Sequence, residues 1–473
     1  MASNTQNTSG PVLQRGTKEY EAAIRNFFNS EPTGRFPAEV HSVRSTLDVA
    51  NAMERARDLG VPVGVKSGGH LPSKPSLIDN GILIELNNLN RGVEYDPASG
   101  VVSFGPAVRV HEAWKATDAV GRFFPFGHAP DVALGGFCLA GGQGFFMRGW
   151  GATITDWIIQ LEIVVPSGKV VIASRTQNQD LFWAARGGGQ AFFGVVTRLW
   201  SRTIPKKTLY GRSFVFNVGN NFDTLLNFAF DRNEQMPKSF TETAVCLLHP
   251  ELFDAKSTDE PIPESSPLQL FIQLTAYADT LPEAKKLLAV WDDVPEMIKS
   301  LSVDTKPTAE ITWNEFFQLQ SFMNPKAPDQ NWGIHSILND PKVPRDKLLE
   351  AIKPALCDLP SRSSYGVIYM ADTVDLDETD AVFSIPQKYY ISTFSGWKNP
   401  ELRAPIRAAM RQSYAKAFTV ACGMYIADFD PSPDTTHPQT MPVWTDSARE
   451  KFMRIREKWD PQGIFPGYKA FIH

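Results

Sequence analysis

The chain of 473 residues has few cysteines and no long apolar run. Its four cysteines, Cys138, Cys246, Cys357 and Cys422, form no Cys-x-x-Cys pair, which argues against a disulfide framework and fits a reducing compartment. No window approaches the ~18 apolar residues of a membrane span. The first residues lack the basic start and apolar core of a secretory signal. We therefore expect a cytoplasmic protein with no membrane partner.

A concentrated positive charge is also missing. The formal net charge is -5, with 47 basic and 52 acidic residues. The richest basic stretch, residues 198–207, is short and is typical of a solvated strand edge, so no nucleic acid partner is expected. His111-Glu112 begins like a zinc-protease helix, but Lys115 stands where the second histidine should be. The eight histidines therefore predict no metal site.

The common nucleotide-binding fingerprints are absent, yet glycine is concentrated in three clusters. The chain has no Gly-Lys-Ser/Thr of a P-loop and no Gly-x-Gly-x-x-Gly after a strand. An apolar strand at 61–65 is instead followed by Ser67-Gly68-Gly69 and His70, and further clusters occupy 130–151 and 186–189. Such loops let backbone amides surround an anion. Tight turns are the alternative, but three clusters in one region favour a long cofactor with a pyrophosphate.

The order of predicted elements indicates an α+β protein. A first helix is predicted at 19–28, and a second at 45–59, with Ser45 as its cap and Gly60 at its end. Glycine becomes rarer after Lys207, which we interpret as a domain boundary. Strands and helices then alternate through 208–420, and a last helix is predicted at 447–458. This pattern predicts an antiparallel sheet covered by helices in the middle domain.

The motifs resemble those of the FAD-linked oxidases of the para-cresol methylhydroxylase and vanillyl-alcohol oxidase superfamily, and within it the berberine-bridge-enzyme-like group. They are Lys-Ser-Gly-Gly-His (66–70), Pro-x-Val-x-x-Gly-Gly (130–136), Gly-Gly-x-Gly-x-x-x-Arg-x-x-Gly (141–151), Asp-Leu-Phe-Trp-Ala-Ala-Arg-Gly-Gly-Gly (180–189), Gly-Val-Val-Thr (194–197) and the closing Lys-Trp-Asp-Pro-Gln-Gly-Ile-Phe (458–465). The resemblance implies a PCMH-type FAD-binding domain at 1–207, a substrate-binding domain at 208–420, and a segment at 421–473 that returns to the first domain.

The resemblance also implies the cofactor and how it is attached. In the family, the histidine of this Ser-Gly-Gly-His motif is joined to the 8α carbon of FAD, which here is His70. Ala129 stands where many members carry a second, cysteinyl attachment, so a single covalent bond is expected. The cofactor-binding residues that the motifs imply are Lys66, Ser67, Gly68, Gly69, His70, Leu71, Pro130, Val132, Ala133, Leu134, Gly135, Gly136, Leu139, Gly141, Gly142, Gly144, Gly194, Val195 and Val196.

Several positions depart from the family pattern. Lys66 replaces its usual arginine, Ala133 a glycine, and Phe192 and Ala427 asparagines. Val132 stands where the family controls the access of oxygen to the flavin, and a valine resembles the oxygen-reactive members. The alternative for Val132 is a packed core residue.

A tyrosine is the candidate catalytic residue. Tyr425 lies in a segment that resembles the family's Tyr-x-Asn-Tyr, in which the tyrosine can face the flavin and act as a base. An aromatic packed in the core is the alternative. Tyr389, Tyr390 and Tyr468 are further candidates. His128 could lie near the flavin or in a surface loop.

The sequence therefore predicts an FAD-dependent oxidase. Its expected substrate is a small, largely apolar organic molecule, its electron acceptor is molecular oxygen, and its setting by family analogy is secondary metabolism. One alternative is a cyclase that uses the flavin as a scaffold without net redox. Another is a binding protein without catalysis.

Overall fold

The structure is a computed structural model, and it describes residues 9–250, 259–432, 435 and 437–472. In chain order the strands are β1 (Val12–Gln14), β2 (Glu39–Ser42), β3 (Val63–Lys66), β4 (Ile82–Glu85), β5 (Val93–Asp96), β6 (Val101–Phe104), β7 (Arg122–Phe123), β8 (Ile158–Val164), β9 (Val170–Ser174), β10 (Val195–Arg202), β11 (Ile204–Pro205), β12 (Thr208–Asn217), β13 (Thr241–Leu248), β14 (Gln269–Ala278), β15 (Ser302–Glu310), β16 (Asn331–Asn339), β17 (Tyr365–Tyr369), β18 (Tyr390–Trp397) and β19 (Ala421–Gly423). The α-helices are α1 (Lys18–Arg25), α2 (Thr46–Leu59), α3 (Val110–Ala119), α4 (Leu134–Leu139), α5 (Met147–Trp150), α6 (Gln179–Ala185), α7 (Phe222–Gln235), α8 (Leu281–Leu287), α9 (Glu296–Lys299), α10 (Trp313–Met323), α11 (Arg345–Cys357), α12 (Arg403–Tyr414) and α13 (Asp446–Trp459).

The first part of the chain contains two principal sheets. One has the order β1-β2-β4-β3, in which β2, β4 and β3 run parallel, and the other is antiparallel with the order β5-β6-β10-β8-β9. Helix α2 joins β2 to β3, as parallel strands require a crossover. Its predicted start and end are confirmed: the Ser45 side chain accepts from the Asp48 N–H, and Gly60 ends the helix with a φ of 64°.

The first helix is shorter than predicted. Helix α1 ends at Arg25 rather than at residue 28, because Phe27 and Phe28 leave the helix to pack beside the first glycine-rich loop. The Phe28 N–H donates to the carbonyl of Gly69 at 2.9 Å. Tertiary contacts therefore override the local preference for helix.

Strands β12 to β19, with β19 at one edge, form an eight-stranded antiparallel sheet with the order β15-β12-β14-β13-β17-β18-β16-β19. Alternate residues point to opposite faces. On β17, Ile368 packs in the core beneath the helices, whereas Tyr365, Val367 and Tyr369 line a cavity on the other face. Residues of α7, α8, α11 and α12 cover the first face. The predicted α+β class, with a helix-covered antiparallel sheet, is confirmed.

The C-terminal segment packs on the first part of the chain. The Val63 N–H donates to the carbonyl of Ile464 at 2.9 Å, and the buried Asp460 carboxylate accepts the N–H groups of Ile464 and Phe465 at 2.9 and 3.0 Å. Lys458 pairs with Asp180 at 2.6 Å. Strand β19, just past residue 420, still belongs to the large sheet.

An ion pair between the buried Arg186 and the partly exposed Asp380 joins residues 1–207 to residues 208–420. The Arg186 side chain is 3% exposed, and its Nη1 lies 2.9 Å from Asp380 Oδ2. We expect Asp380→Ala to lower the free energy of unfolding by roughly 3–5 kcal/mol, because Arg186 would remain buried without its carboxylate. Urea unfolding followed by circular dichroism measures this change.

The matched control for Asp380 is Asp279, whose exposed carboxylate pairs with Lys207 at the surface. We expect Asp279→Ala to change the free energy of unfolding by about 0–1 kcal/mol. If the two substitutions changed the free energy of unfolding equally, the stabilising role assigned to the ion pair between Arg186 and Asp380 would be contradicted.

Candidate cofactor and active site

A cavity of about 660 Å³ lies between the glycine-rich loops and the large sheet. The loop after β3 and the start of α4 form one wall, and side chains from β13, β14, β17 and β18 form the opposite wall. Cavities of this size, mostly apolar with a few polar groups, are typical of small-molecule and cofactor sites.

The first two glycine-rich loops meet at this cavity. A β-carbon placed on Gly68 would lie 2.8 Å from the Cβ of Ala133, which is closer than real Cβ contacts. Only glycine at residue 68 allows this approach. The two loops therefore present their backbones side by side, although they are about 65 residues apart in the sequence.

Backbone amides at the junction remain available to a ligand. Within the described residues, the N–H groups of Gly68, Gly69, His70, Ala133 and Gly136 donate to no backbone carbonyl. A β-carbon on Gly136 would meet no protein atom within 4 Å, so this glycine borders open space. A cluster of unused amides beside open space is suited to a diphosphate. The residues present therefore fit FAD.

The Lys66 side chain anchors the start of the first glycine-rich loop through contacts within the protein. Its side chain is fully buried, and Nζ lies 2.7 Å from Glu85 Oε1 and 2.9 Å from the carbonyl oxygen of Ala23. The ammonium group also lies over the ring of Phe27, at 4.6 Å from its centre. Burial lowers the pKa of Lys66, which Glu85 opposes. The ammonium group is thus used within the protein, where it anchors the end of β3.

His70 lines the cavity in a stack of rings. Its imidazole stacks on Phe28 at 4.1 Å between ring centres, and Phe28 in turn stacks on Trp332 at 6.1 Å. Burial, with smaller effects from Arg109 and Lys326, lowers the pKa of His70 to about 4. The imidazole is therefore neutral at pH 7 and keeps a nitrogen lone pair.

The predicted cofactor-binding residues divide into two groups. Those that line the cavity are Lys66, Ser67, Gly68, Gly69, His70, Leu71, Val132, Ala133 and Gly136. Those that the structure places outside the cavity lining are Pro130, Leu134, Gly135, Leu139, Gly141, Gly142, Gly144, Gly194, Val195 and Val196. Gly194, for example, packs against Ile163, and Gly135 against Pro106. The third glycine cluster contacts the C-terminal segment, since Trp444 Nε1 donates to the Gly187 carbonyl at 2.9 Å.

Tyr425 lies in the cavity wall, as does His128. The Tyr425 hydroxyl accepts the N–H of Gly142 at 3.3 Å, so it connects the second glycine-rich loop to the C-terminal segment. Burial raises the pKa of Tyr425. Of the further tyrosine candidates, Tyr390 lines the cavity, whereas Tyr389 and Tyr468 do not.

Two carboxylates in the cavity wall, those of Asp428 and Glu242, were not predicted from the sequence. The Tyr390 hydroxyl donates to Asp428 Oδ2 at 2.7 Å, and Glu242 Oε1 lies 2.8 Å from His128 Nε2. Asp428 follows Tyr425 by three residues, which was the one local signal for it. Glu242 gave no such signal, because it comes from β13 while His128 comes from a distant loop.

No cluster of three or more histidine, cysteine or acidic side chains in the described part of the chain could hold a metal ion. None of the helices built from those residues combines the length and apolar character needed to span a bilayer.

Comparisons with known proteins agree with this geometry. Residues 37–174 match the family profile described as an FAD binding domain. The chain is 27% identical to the FAD-linked oxidoreductase janO of Penicillium janthinellum, over 97% of each chain. It is 32% identical to the xylooligosaccharide oxidase of Thermothelomyces thermophilus, over 43% of this chain and 41% of that protein.

The same fold occurs in a solved structure. Physcomitrella patens BBE-like 1 superposes with a TM-score of 0.76 and 20% identity, covering 96% of this chain and 95% of that one. The fold, the FAD-binding profile and the full-length relatives agree with each other. The chain therefore contains an FAD binding domain at residues 37–174, is similar to FAD-linked oxidoreductases along nearly its whole length, and has the fold of a BBE-like protein.

Proposed function

We propose that this enzyme is an FAD-dependent oxidase that acts on a small, largely apolar organic molecule and passes the electrons to molecular oxygen. When bound, FAD supplies a two-electron acceptor for the hydride of a C–H bond. The amides of Gly68, Gly69, His70, Ala133 and Gly136 would hold its diphosphate, because they line one wall and donate to no backbone carbonyl of the described residues.

We also propose one covalent attachment, through His70. A neutral imidazole is a competent nucleophile, and the lowered pKa of His70 keeps it neutral at pH 7. Stacking on Phe28 restricts the orientation of the ring. Ala129 also lines the cavity but carries no thiol, so a cysteinyl attachment at that position is excluded.

The proposal of a largely apolar substrate rests on one observation, which is the apolar wall of the cavity. Most of the cavity side of the large sheet consists of aromatic and aliphatic side chains, among them Phe271, Tyr365, Val367, Tyr369 and Phe394. Burying apolar surface against such a wall contributes about 25 cal/mol per Å². A sugar would have to leave many of its hydroxyl groups without partners there.

Val132 and Tyr425 complete the proposed site. Val132 lines the cavity beside the second glycine-rich loop, which supports its proposed role in the access of oxygen. We propose Tyr425 as a catalytic residue that contacts the substrate. Because burial raises its pKa and its oxygen accepts from Gly142, Tyr425 would keep its proton at pH 7 and act as a hydrogen-bond donor.

The proposed oxidase activity is tested by mixing the purified yellow protein without oxygen with a panel of aromatic alcohols, benzylic amines and terpenoid alcohols. Bleaching of the flavin absorbance, followed by hydrogen peroxide on admission of air, supports an oxidase. Product without bleaching or peroxide would establish the cyclase instead. Purification of a folded protein without flavin would overturn the proposal in favour of a binding protein.

A further inference from the structure

One histidine in the cavity wall keeps an uncovered ring nitrogen. His128 lies in the loop before α4, next to Ala129, and its side chain is 12% exposed at the cavity. Its Nε2 lies 2.8 Å from Oε1 of Glu242, which comes from β13 in the large sheet. Its Nδ1 has no hydrogen-bond partner among the described residues, and the protein does not cover it. The imidazole therefore presents one unused nitrogen to the cavity.

Glu242 determines which nitrogen of His128 carries the hydrogen. Its second oxygen, Oε2, accepts the N–H of Phe146 at 2.9 Å, so both carboxylate oxygens are occupied. An ionised carboxylate only accepts hydrogen bonds, so the neutral imidazole must carry its hydrogen on Nε2. The bond made by one ring nitrogen thus sets the state of the other. Nδ1 is left with a lone pair and can only accept.

Aromatic rings surround this acceptor. The ring of Tyr369 stacks on the imidazole at 4.7 Å between centres, and the ring of Phe145 lies at 4.1 Å. Phe316 of α10 lies at 6.2 Å. Tyr369 and Phe316 also line the cavity, where they offer ring surface to a planar apolar group. A ligand at this point would meet apolar rings and one hydrogen-bond acceptor.

The cavity distinguishes this pair from another histidine pair in the chain. His41 Nε2 lies 3.0 Å from Glu39 Oε2, and both residues are buried outside the cavity lining. A pair at that position can only support the fold. His128 also joins two parts of the fold, but its free nitrogen lies where a small molecule can reach it.

We propose that His128 is a specificity-determining residue that accepts a hydrogen bond from an O–H or N–H group on a planar, largely apolar substrate. This inference rests on the proposed function and names the substrate class of the same cavity. The role is recognition, so the hydrogen stays on the substrate. A molecule without such a donor would leave Nδ1 unpaired in a mostly apolar wall, which weakens binding.

The experiment compares two probes on the holoenzyme, phenol and its methyl ether, anisole. Both have one aromatic ring, and only phenol has a donor. Affinities are measured by isothermal titration calorimetry at about pH 8, where a free histidine is neutral. We expect phenol to bind about tenfold more tightly than anisole, because only phenol can pair with Nδ1.

Two variants remove the acceptor in different ways. His128→Phe keeps a ring and removes both nitrogens. In Glu242→Gln the amide oxygen takes the Phe146 N–H, so the amide NH₂ group faces His128 Nε2 and the imidazole hydrogen moves to Nδ1, which becomes a donor. In both variants we expect the preference for phenol to fall about tenfold.

Glu39→Gln is the matched control, since it makes the same change beside His41, outside the cavity lining. We expect it to keep the wild-type preference for phenol. Circular dichroism confirms that each variant is folded. A pair that only supported the fold would leave the ratio of the two affinities unchanged, whatever its effect on stability.

The inference is overturned if the wild-type protein binds neither probe, if it binds both equally, if a folded His128→Phe or Glu242→Gln variant keeps the preference, or if Glu39→Gln loses it. If His128→Phe fails to fold, Glu242→Gln decides. Because binding is measured and not turnover, its result is separate from that of the oxidase test. A protein whose flavin bleaches with a substrate can fail this test, and a protein that oxidises nothing can pass it.

Discussion

The His70→Ala variant is expected to contain no covalently bound FAD. His70 lies in the cavity wall beside the unused amides, and its ring stacks on Phe28. Burial lowers the pKa of His70, so its imidazole is neutral and keeps a nitrogen lone pair. In the wild-type protein we expect intact mass spectrometry after denaturation to show the mass of the chain plus one FAD. In His70→Ala we expect the mass of the chain alone.

Two cavity residues provide matched controls for this measurement. His128→Ala removes the other histidine of the cavity wall, and Cys246→Ala removes a thiol from it. Both are expected to keep the added mass of FAD. Retention of that mass in His70→Ala, or its loss in either control, would contradict an attachment through His70. A wild-type chain without the added mass would show that FAD binds without a covalent bond.

The Gly136→Val variant is expected to fold and to lose most of its flavin. A β-carbon at this position meets no protein atom within 4 Å, so the valine enters the space proposed for the diphosphate. Steric conflicts of this kind cost roughly 1–3 kcal/mol, which corresponds to about five- to 150-fold weaker binding. The ratio of flavin to protein in the purified, folded variant measures the effect.

Gly92→Val serves as the control for Gly136→Val, since Gly92 is exposed and lies outside the cavity lining. A β-carbon there would meet only Glu94 Oε1, at 3.9 Å. We expect this variant to keep a full complement of flavin. If Gly136→Val also keeps it, the diphosphate does not lie against α4, and the proposed placement of the cofactor is wrong.

The glycine-rich loops were the part of the site that the sequence could predict. They are local motifs. A glycine such as Gly68 or Gly136 leaves the backbone open to a ligand because it has no side chain, and this holds wherever the loop lies in the chain. His70 belongs to the same motif and could be named with it. Gly194, by contrast, shares a family motif but packs against Ile163 in the structure, away from the cavity lining.

The helices and strands were predictable to the extent that their causes are local. Helix α2 has its own cap at Ser45 and its own end at Gly60, and both appear as predicted. Helix α1 is shorter than predicted because Phe27 and Phe28 are held by the loop that contains Gly69. A hydrophobic pattern cannot reveal that distant contact.

The sequence by itself determined the α+β class, the glycine-rich loops and the histidine beside them, since each depends on residues that are neighbours along the chain. The acid and base groups of the cavity were decided only by the tertiary structure. Tyr390 and Asp428 are 38 residues apart, and His128 and Glu242 are 114 residues apart. The register of the large sheet and the path of the C-terminal segment bring these partners together, and both depend on packing across the whole molecule.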